Sequence, residues 1–479
     1  MSTGSSEHAP DRPLAELLKV AGPTVATMTS YTMMQFVDKW MVSRVDPLLV
    51  GAQGDGGLAA WVPIAVAMGC VTVINTYVSQ NLGAGRPERG AAYAWNGIWI
   101  ALAYWLVLLV PYGFLMEGVF RAAGRTEAQA ALASSYGSIL VFGAGITMAT
   151  RAVSQFFYGM QKASVVMVAG VVANIVNLAL TYALVFGKFG LPAMGLKGSA
   201  IGTVLATCVE LAIPMAVFLG AKMNAKYGTR GAWRPSWKHV KDLLRLGWAG
   251  GLMFGNEMLC WGVFMVYLVG HFGPRHSTAG WIAHQYMSLS FMPAVGISVA
   301  VTATVGKCLG MGRPDLAANR AWLGLTVSAV YMVVCGGLFI VFREPMVRLF
   351  ITEGTPPDEV AELVRLGSAF LIATAAFQFF DAIAMSLSGA LRGAGDTVWP
   401  GVVTVLLSWG IIVGGGRALV EWRPEWESVG PWGAAAAYIA VLSMAILGRF
   451  LGGKWKTIKL VERKGAAEAA AGAVVDGIV

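Results

Sequence analysis

The chain has 479 residues, of which 56% are hydrophobic and 13% charged, with a formal net charge of +9 and a mean hydropathy of +0.64. A soluble domain carries roughly 25% charged residues. An ordinary water-covered globule, a disordered chain and a disulfide-stapled secreted module are therefore excluded, which leaves a polytopic membrane protein.

Met1 to Arg12 form a polar lead-in, and the apolar stretch after it lacks a small-residue cleavage pattern, so it reads as an uncleaved first helix. Hydropathy then predicts twelve spans, at 17–42, 57–78, 92–115, 131–155, 166–187, 198–220, 243–270, 281–305, 321–342, 363–388, 399–416 and 430–450. The apolar runs are continuous and do not alternate, so the spans are helices and not barrel strands. Cys70, Cys208, Cys260, Cys308 and Cys335 lie inside apolar runs without CxxC spacing and read as small core residues. The five histidines show no HxH or HxxxH pattern, and no metal site is expected on them.

The basic residues orient the spans. The N-terminus, the even-numbered loops and the tail hold 19 Lys+Arg against 10 Asp+Glu, whereas the odd-numbered loops hold 10 against 12. This asymmetry predicts that both termini are cytoplasmic in an inner (plasma) membrane protein. The loop between spans six and seven carries Lys222, Lys226, Arg230, Arg234, Lys238 and Lys241. It reads as a cytoplasmic hinge beside anionic lipid headgroups, and no nucleic-acid partner is expected.

An internal repeat sets the architecture. Residues 78–95 (VSQNLGAGRPERGAAYAW) and 305–322 (VGKCLGMGRPDLAANRAW) agree at nine of eighteen positions, with an offset of 227 residues. Both copies follow an even-numbered span, so the halves enter the membrane in the same sense. A pseudo-twofold axis along the membrane normal follows, with a solute site between or within the halves. The prediction is an all-α polytopic fold of two six-helix bundles: residues 1–220, a basic linker at 221–242, residues 243–453, and a disordered cytoplasmic tail at 454–479. The repeated GxGRP reads chiefly as turn punctuation after a helix.

Four acids fall within spans: Asp38, Glu210, Glu257 and Asp381. Each costs roughly 2.5–3.5 kcal/mol at a helix centre on insertion scales, so such residues mark partners, wet cavities or cation sites. Thr374, Gln378, Asp381 and Ser388 share one helical stripe, with Phe377 a turn before Asp381. Glu257, Trp261 and Phe264 fall at i, i+4 and i+7. A carboxylate beside aromatic faces suits a coupling ion or an organic ammonium. Asn174, Asn177 and Thr181 form a polar face on the fifth span, and Pro23 predicts a kink in the span that carries Asp38. Glu210 is explained equally well by a pair with a neighbouring helix.

These residues resemble the multidrug and toxic compound extrusion (MATE) family. The carrying segments are AGPTVATMTSYTMMQFVDKWMVSRV, VSQNLGAGRPERG, NEMLCWGVF, HQYMSLSFMPAVGISVAVTATVGKCLGMGR and FDAIAMSLSGALRGAGDT, in this order across nearly the whole chain. The resemblance implies two bundles enclosing a V-shaped cavity and export of cationic, often aromatic compounds in exchange for Na⁺ or H⁺. It implies that Asp38 is the acid of the first helix. Glu257 and Asp381 match the acids of the branch whose C-terminal half binds the coupling cation, with Phe377 near that cation. Gln285 falls in the polar pair opening the eighth helix, and Thr181 stands where other branches carry an acid.

The expectation is a monomeric antiporter without a cofactor, taking Na⁺ or H⁺ as coupling ion and small cationic molecules as substrates. Glu257, Asp381, Phe377 and Asp38 would hold the cation. Asp38, Asn174, Asn177, Thr181, Trp261, Phe264, Gln285 and Gln378 would line the substrate path. A lipid-linked sugar flippase or polysaccharide exporter of related fold is the alternative. An intramembrane enzyme would need a nucleophile–base pair or metal cluster at depth, and none stands out.

Overall fold

A computed structural model describes residues 12–351 and 355–462 of the chain. Twelve long helices follow in order: α1 Pro13–Ser43, α2 Gly51–Gly83, α3 Glu88–Ala122, α4 Glu127–Gly159, α5 Ala163–Phe186, α6 Gly195–Leu219, α7 Trp237–Phe272, α8 Pro274–Gly310, α9 Pro314–Val341, α10 Pro357–Ala394, α11 Val398–Trp422 and α12 Val429–Leu451. All twelve predicted spans are present, extended by a turn or more at many ends. Among the described residues, α2 to α12 are long and apolar enough to cross a membrane. The 31-residue α1 is long enough but more polar, because Thr24, Thr27, Thr29, Ser30, Tyr31, Thr32 and Asp38 run along it. Four of those hydroxyls, from Thr24, Thr27, Thr29 and Thr32, turn back onto the carbonyl one turn earlier. This bonding makes a polar helix tolerable at depth. The helix runs on through Pro23.

The halves meet through helix pairs equivalent under the duplication. α1 lies on α8, and α7 lies on α2. Small residues allow this approach. A Cβ on Gly296 would fall 2.8 Å from the backbone nitrogen of Val25, and one on Gly69 would fall 2.3 Å from the carbonyl oxygen of Gly250. The face holding the start of α1 is termed proximal here, and the opposite face distal. The repeated motif closes the proximal face. A Cβ on Gly83 would lie 2.0 Å from the Lys307 carbonyl oxygen, and one on Gly310 would lie 2.1 Å from that of Gln80. The first glycine of GxGRP is thus an inter-half contact rather than punctuation. The second, Gly85 or Gly312, has the positive φ of a left-handed cap. Thr76 Oγ1 donates to the Arg392 carbonyl (2.8 Å), Gln80 Nε2 to the Gly393 carbonyl (2.9 Å) and Asn75 Nδ2 to the Val299 carbonyl (3.3 Å), stitching the same face. Toward the distal face, residues 110–122 and 264–272 pack within their own halves.

The expected disordered tail is corrected for residues 454–462. Gly453 (φ +69°) turns the chain back. Trp455 is fully buried, stacks 4.9 Å from Phe450, and donates its Nε1–H to the Phe450 carbonyl. Leu460 sits against Gly395. A tail read by its charge hides the apolar side chains that dock it. Residues 463–479 lie outside the described residues.

Candidate functional site

Each half holds a polar cluster. In the N-terminal half, Asp38 sits in the last turns of α1 and is 6% exposed. Thr203 on α6 donates to its Oδ2 at 3.5 Å, and Asn177 donates to Thr203 Oγ1 at 3.4 Å. Thr181 faces the same carboxylate. Tyr136 on α4, and Gln53 and Ser199, which bond each other at 3.4 Å, close the cluster. Buried oxygens without a hydrogen-bond partner among the described residues converge there: Asp38 Oδ1, Gln53 Oε1 and Thr181 Oγ1. An orphaned buried oxygen is costly, and a set of them is the donor pattern of a hard cation or of a proton to be shared. The predicted face of α5 is divided. Asn177 and Thr181 turn toward Asp38, whereas Asn174 donates to Ser30 Oγ on α1 at 2.8 Å and leaves its own Oδ1 unpartnered. Glu210 is bound by the Tyr31 hydroxyl of α1, so it is a helix-pairing acid.

In the C-terminal half, Glu257 on α7 and Asp381 on α10 are both half-buried. They lie within electrostatic reach of one another and of the Tyr438 hydroxyl on α12. Neither carboxylate has an ion pair or a hydrogen bond among the described residues. Two carboxylates so placed repel each other, and a proton or cation between them relieves that repulsion. Next to Glu257, Asn256 Nδ2 donates to Ser408 Oγ at 2.9 Å, and Trp409 Nε1 donates to Asn256 Oδ1 at 2.6 Å. Residues 408–415 are a π-helical stretch of α11, an irregularity common at functional sites. Asn256 anchors the backbone beside the acid to it.

Three expected contacts are corrected. Phe264 is fully buried, with its ring 5.4 Å from that of Trp432. The winding from Glu257 to Val263 is α-helical, so Phe264 keeps its place on the stripe two turns beyond the acid. Its ring packs with Phe370 and Trp432 in the core cluster of this half, so it serves as core packing. Gln378 is 1% exposed and donates to Ser290 Oγ on α8 at 2.8 Å, so it ties α10 to α8 and lines no open space. Phe377 is 1% exposed and belongs to the core cluster of Phe264 and Phe370, so its ring is core packing. Trp261 keeps partial exposure, between Phe264 and His284 at 5.3 and 5.8 Å. Gln285 is exposed at the next position after His284. Thr203, Gln53, Tyr136, Asn256 and Tyr438 were not singled out by sequence reasoning. Asn256 alone had a signal, because it precedes Glu257 in the NEMLCW segment.

The MatE family model matches this chain in two stretches, residues 23–183 and 256–414, one per duplicated half. The chain is 28% identical over 462 residues to a probable multidrug resistance protein NorM of Thermotoga maritima, covering 94% of each. It is 28% identical to a probable multidrug resistance protein NorM of Pseudomonas aeruginosa, covering 96% of this chain and 92% of the relative. In fold it is similar to a multidrug resistance MATE family transporter of the MOP superfamily solved in an outward-facing conformation. The TM-score is 0.84 at 19% identity, with 93% of this chain and 97% of that one covered.

Proposed function

We propose, from the premise that this chain belongs to the MatE family and is a membrane transporter of the multidrug efflux type, that it is a cation-coupled antiporter. It exports cationic, amphipathic organic compounds across the plasma membrane in exchange for Na⁺ or H⁺. Both termini face the cytoplasm, and the protein works as a monomer of two bundles, 1–220 and 243–453, joined by the basic linker at 221–242.

One observation carries this reading. Glu257 and Asp381 are two half-buried acids without a cationic partner among the described residues, set at depth in a duplicated bundle. Such a pair is stable only when it shares a proton or holds a cation. With the termini inside, the glycine-tight proximal seal is the cytoplasmic gate, and this conformation faces outward. Here the coupling ion enters from outside and is taken up by Glu257 and Asp381, with Tyr438 beside them. Asp38, Asn177, Thr181 and Thr203 form the second polar pocket. Trp261 and Gln285 offer an aromatic face and an amide to an aromatic cation. Substrate and ion favour opposite conformations, so ion entry drives substrate release as the halves rock about the α1–α8 and α2–α7 contacts.

The test is efflux of ethidium, an aromatic cation, from energised vesicles, with Na⁺ and pH gradients imposed separately. Transport that follows one gradient and is lost in Asp381→Asn, at equal insertion, is the expected result. Transport indifferent to both gradients would overturn the proposal.

A further inference from the structure

A further cavity, unrelated to the two acid pockets, lies at the proximal face between the halves. It has a volume of about 500 Å³ and is lined by Arg12 just before α1, Glu16 and Lys19 of α1, Gln161 of the α4–α5 turn and Lys307 of α8, with Ala15 and Val20 as its apolar wall. Glu16 and Lys19 lie one turn apart on one face of α1, and Arg12, at the N-cap just before the helix, lines the same cavity. The single acid is already neutralised. Glu16 pairs with Arg320 Nε at 3.0 Å and with Lys307 Nζ at 3.2 Å, and Arg320 is 5% exposed. Arg12 and Lys19 have no partner among the described residues, so the cavity keeps an excess of positive charge.

Gln161 adds a second, independent signal. It has a left-handed backbone, φ +58°, at a helix end where glycine is the comfortable choice. The matching turn of the other half, LRGAGDT at 391–397, has Gly395 there with φ +89°. The N-terminal half keeps a side chain at a strained position, and that side chain points into the vestibule. Its Oε1 accepts from Lys307 Nζ at 3.3 Å, and its Nε2 is a buried donor with no acceptor. The group that completes this arrangement must accept hydrogen bonds and carry negative charge. It must also be small enough to sit among two guanidinium or ammonium heads and an amide. A phosphate group meets all three conditions.

We propose that this vestibule is a phosphate site, occupied by the headgroup of an anionic phospholipid or by a free phosphate. Its ligands come from both halves and converge only while the proximal face is shut. A bound phosphate therefore favours the conformation described here.

The test uses the full-length protein in phosphatidylcholine nanodiscs. One arm adds phosphatidylglycerol at one lipid in ten and counts the phosphatidylglycerol molecules retained after gentle release, by native mass spectrometry. The other titrates inorganic phosphate against chloride at matched ionic strength and follows the unfolding temperature. The wild type should retain one phosphatidylglycerol, or be stabilised by phosphate over chloride; the first result assigns a headgroup, the second a free anion. Arg12→Gln combined with Lys19→Gln leaves the Glu16 pairs intact and should lower retention or apparent phosphate affinity at least fivefold. Lys19→Arg alone should keep it. Glu16→Gln removes the competing carboxylate and should strengthen binding. A merely structural latch predicts no gain there. Absence of both effects in the wild type, or equal binding by the double variant, would overturn the proposal.

Discussion

The two polar pockets occupy the two halves of one duplicated scaffold, yet they are built on opposite plans. The N-terminal pocket has one carboxylate, Asp38, nearly sealed from solvent and held in a mesh of hydroxyls and amides from α5 and α6. The C-terminal pocket has two carboxylates, Glu257 and Asp381, half-open and without hydrogen-bond partners among the described residues. The first is preorganised. Its donors and acceptors are in place, and a few of its buried oxygens have no hydrogen-bond partner among the described residues. The second is electrostatically unfinished, because like charges at depth repel in proportion to how little water screens them. Duplication thus preserved the frame and let the charge arrangement diverge. On the proposed function, the C-terminal pocket is the cation trap and the N-terminal one the more selective polar mesh.

Substitutions can break this contrast. The largest effect is expected from the two-acid pocket: Asp381→Asn or Glu257→Gln should lower ion-driven efflux more than about tenfold. That factor corresponds to roughly 1.4 kcal/mol of lost coupling. Membrane insertion, followed by protein recovered in the membrane fraction, should stay unchanged, because each change removes an unpaired charge. Asp38→Asn should cost less, about three- to tenfold in the same efflux assay. Thr203, Asn177 and Thr181 still offer polar groups to an amide in its place. Equal losses at Asp38 and Asp381 would abolish the distinction between the pockets. Tyr438→Phe should follow, with a loss of about two- to fivefold, because the hydroxyl beside the acid pair supplies a dipole and no charge.

Much of this was legible in the sequence, for identifiable reasons. The twelve spans follow from the length of apolar stretch a bilayer demands, and the twofold frame follows from nine matched residues around GxGRP. The acids could be named because an ionised group in an apolar run has a cost that singles it out. What could not be read depends on register and distance. Phe264 shares a helical stripe with Glu257, but two turns beyond the acid that stripe meets Phe370 and Trp432 of the core, which the spacing alone does not reveal. Gln378 looks like a stripe neighbour of Asp381, but its amide is consumed by Ser290 on another helix. Thr203 and Tyr438 reach their carboxylates from helices far along the chain, and nothing local marks either one. The first glycine of GxGRP looked like a cap because a cap is visible locally, whereas a carbonyl arriving from residue 307 is not.

The smallest effect sharpens the comparison most. Thr203 donates to Asp38 at 3.5 Å, the outer limit of a hydrogen bond, and also to the Ser199 carbonyl at 3.0 Å. A hydrogen bond to a charged group contributes roughly 1.5–3 kcal/mol at good geometry, and this one is long and shared. Thr203→Val keeps the side-chain shape and removes the hydroxyl, so Asn177 and Asp38 both lose a partner. If the N-terminal pocket acts through its preorganised mesh, transport at saturating ethidium should hold, while the concentration giving half-maximal efflux rises about two- to threefold. A maximal rate that falls as steeply as in Asp381→Asn would instead mean that Asp38 belongs to the energy-coupling step, and that the two pockets differ in construction but not in task.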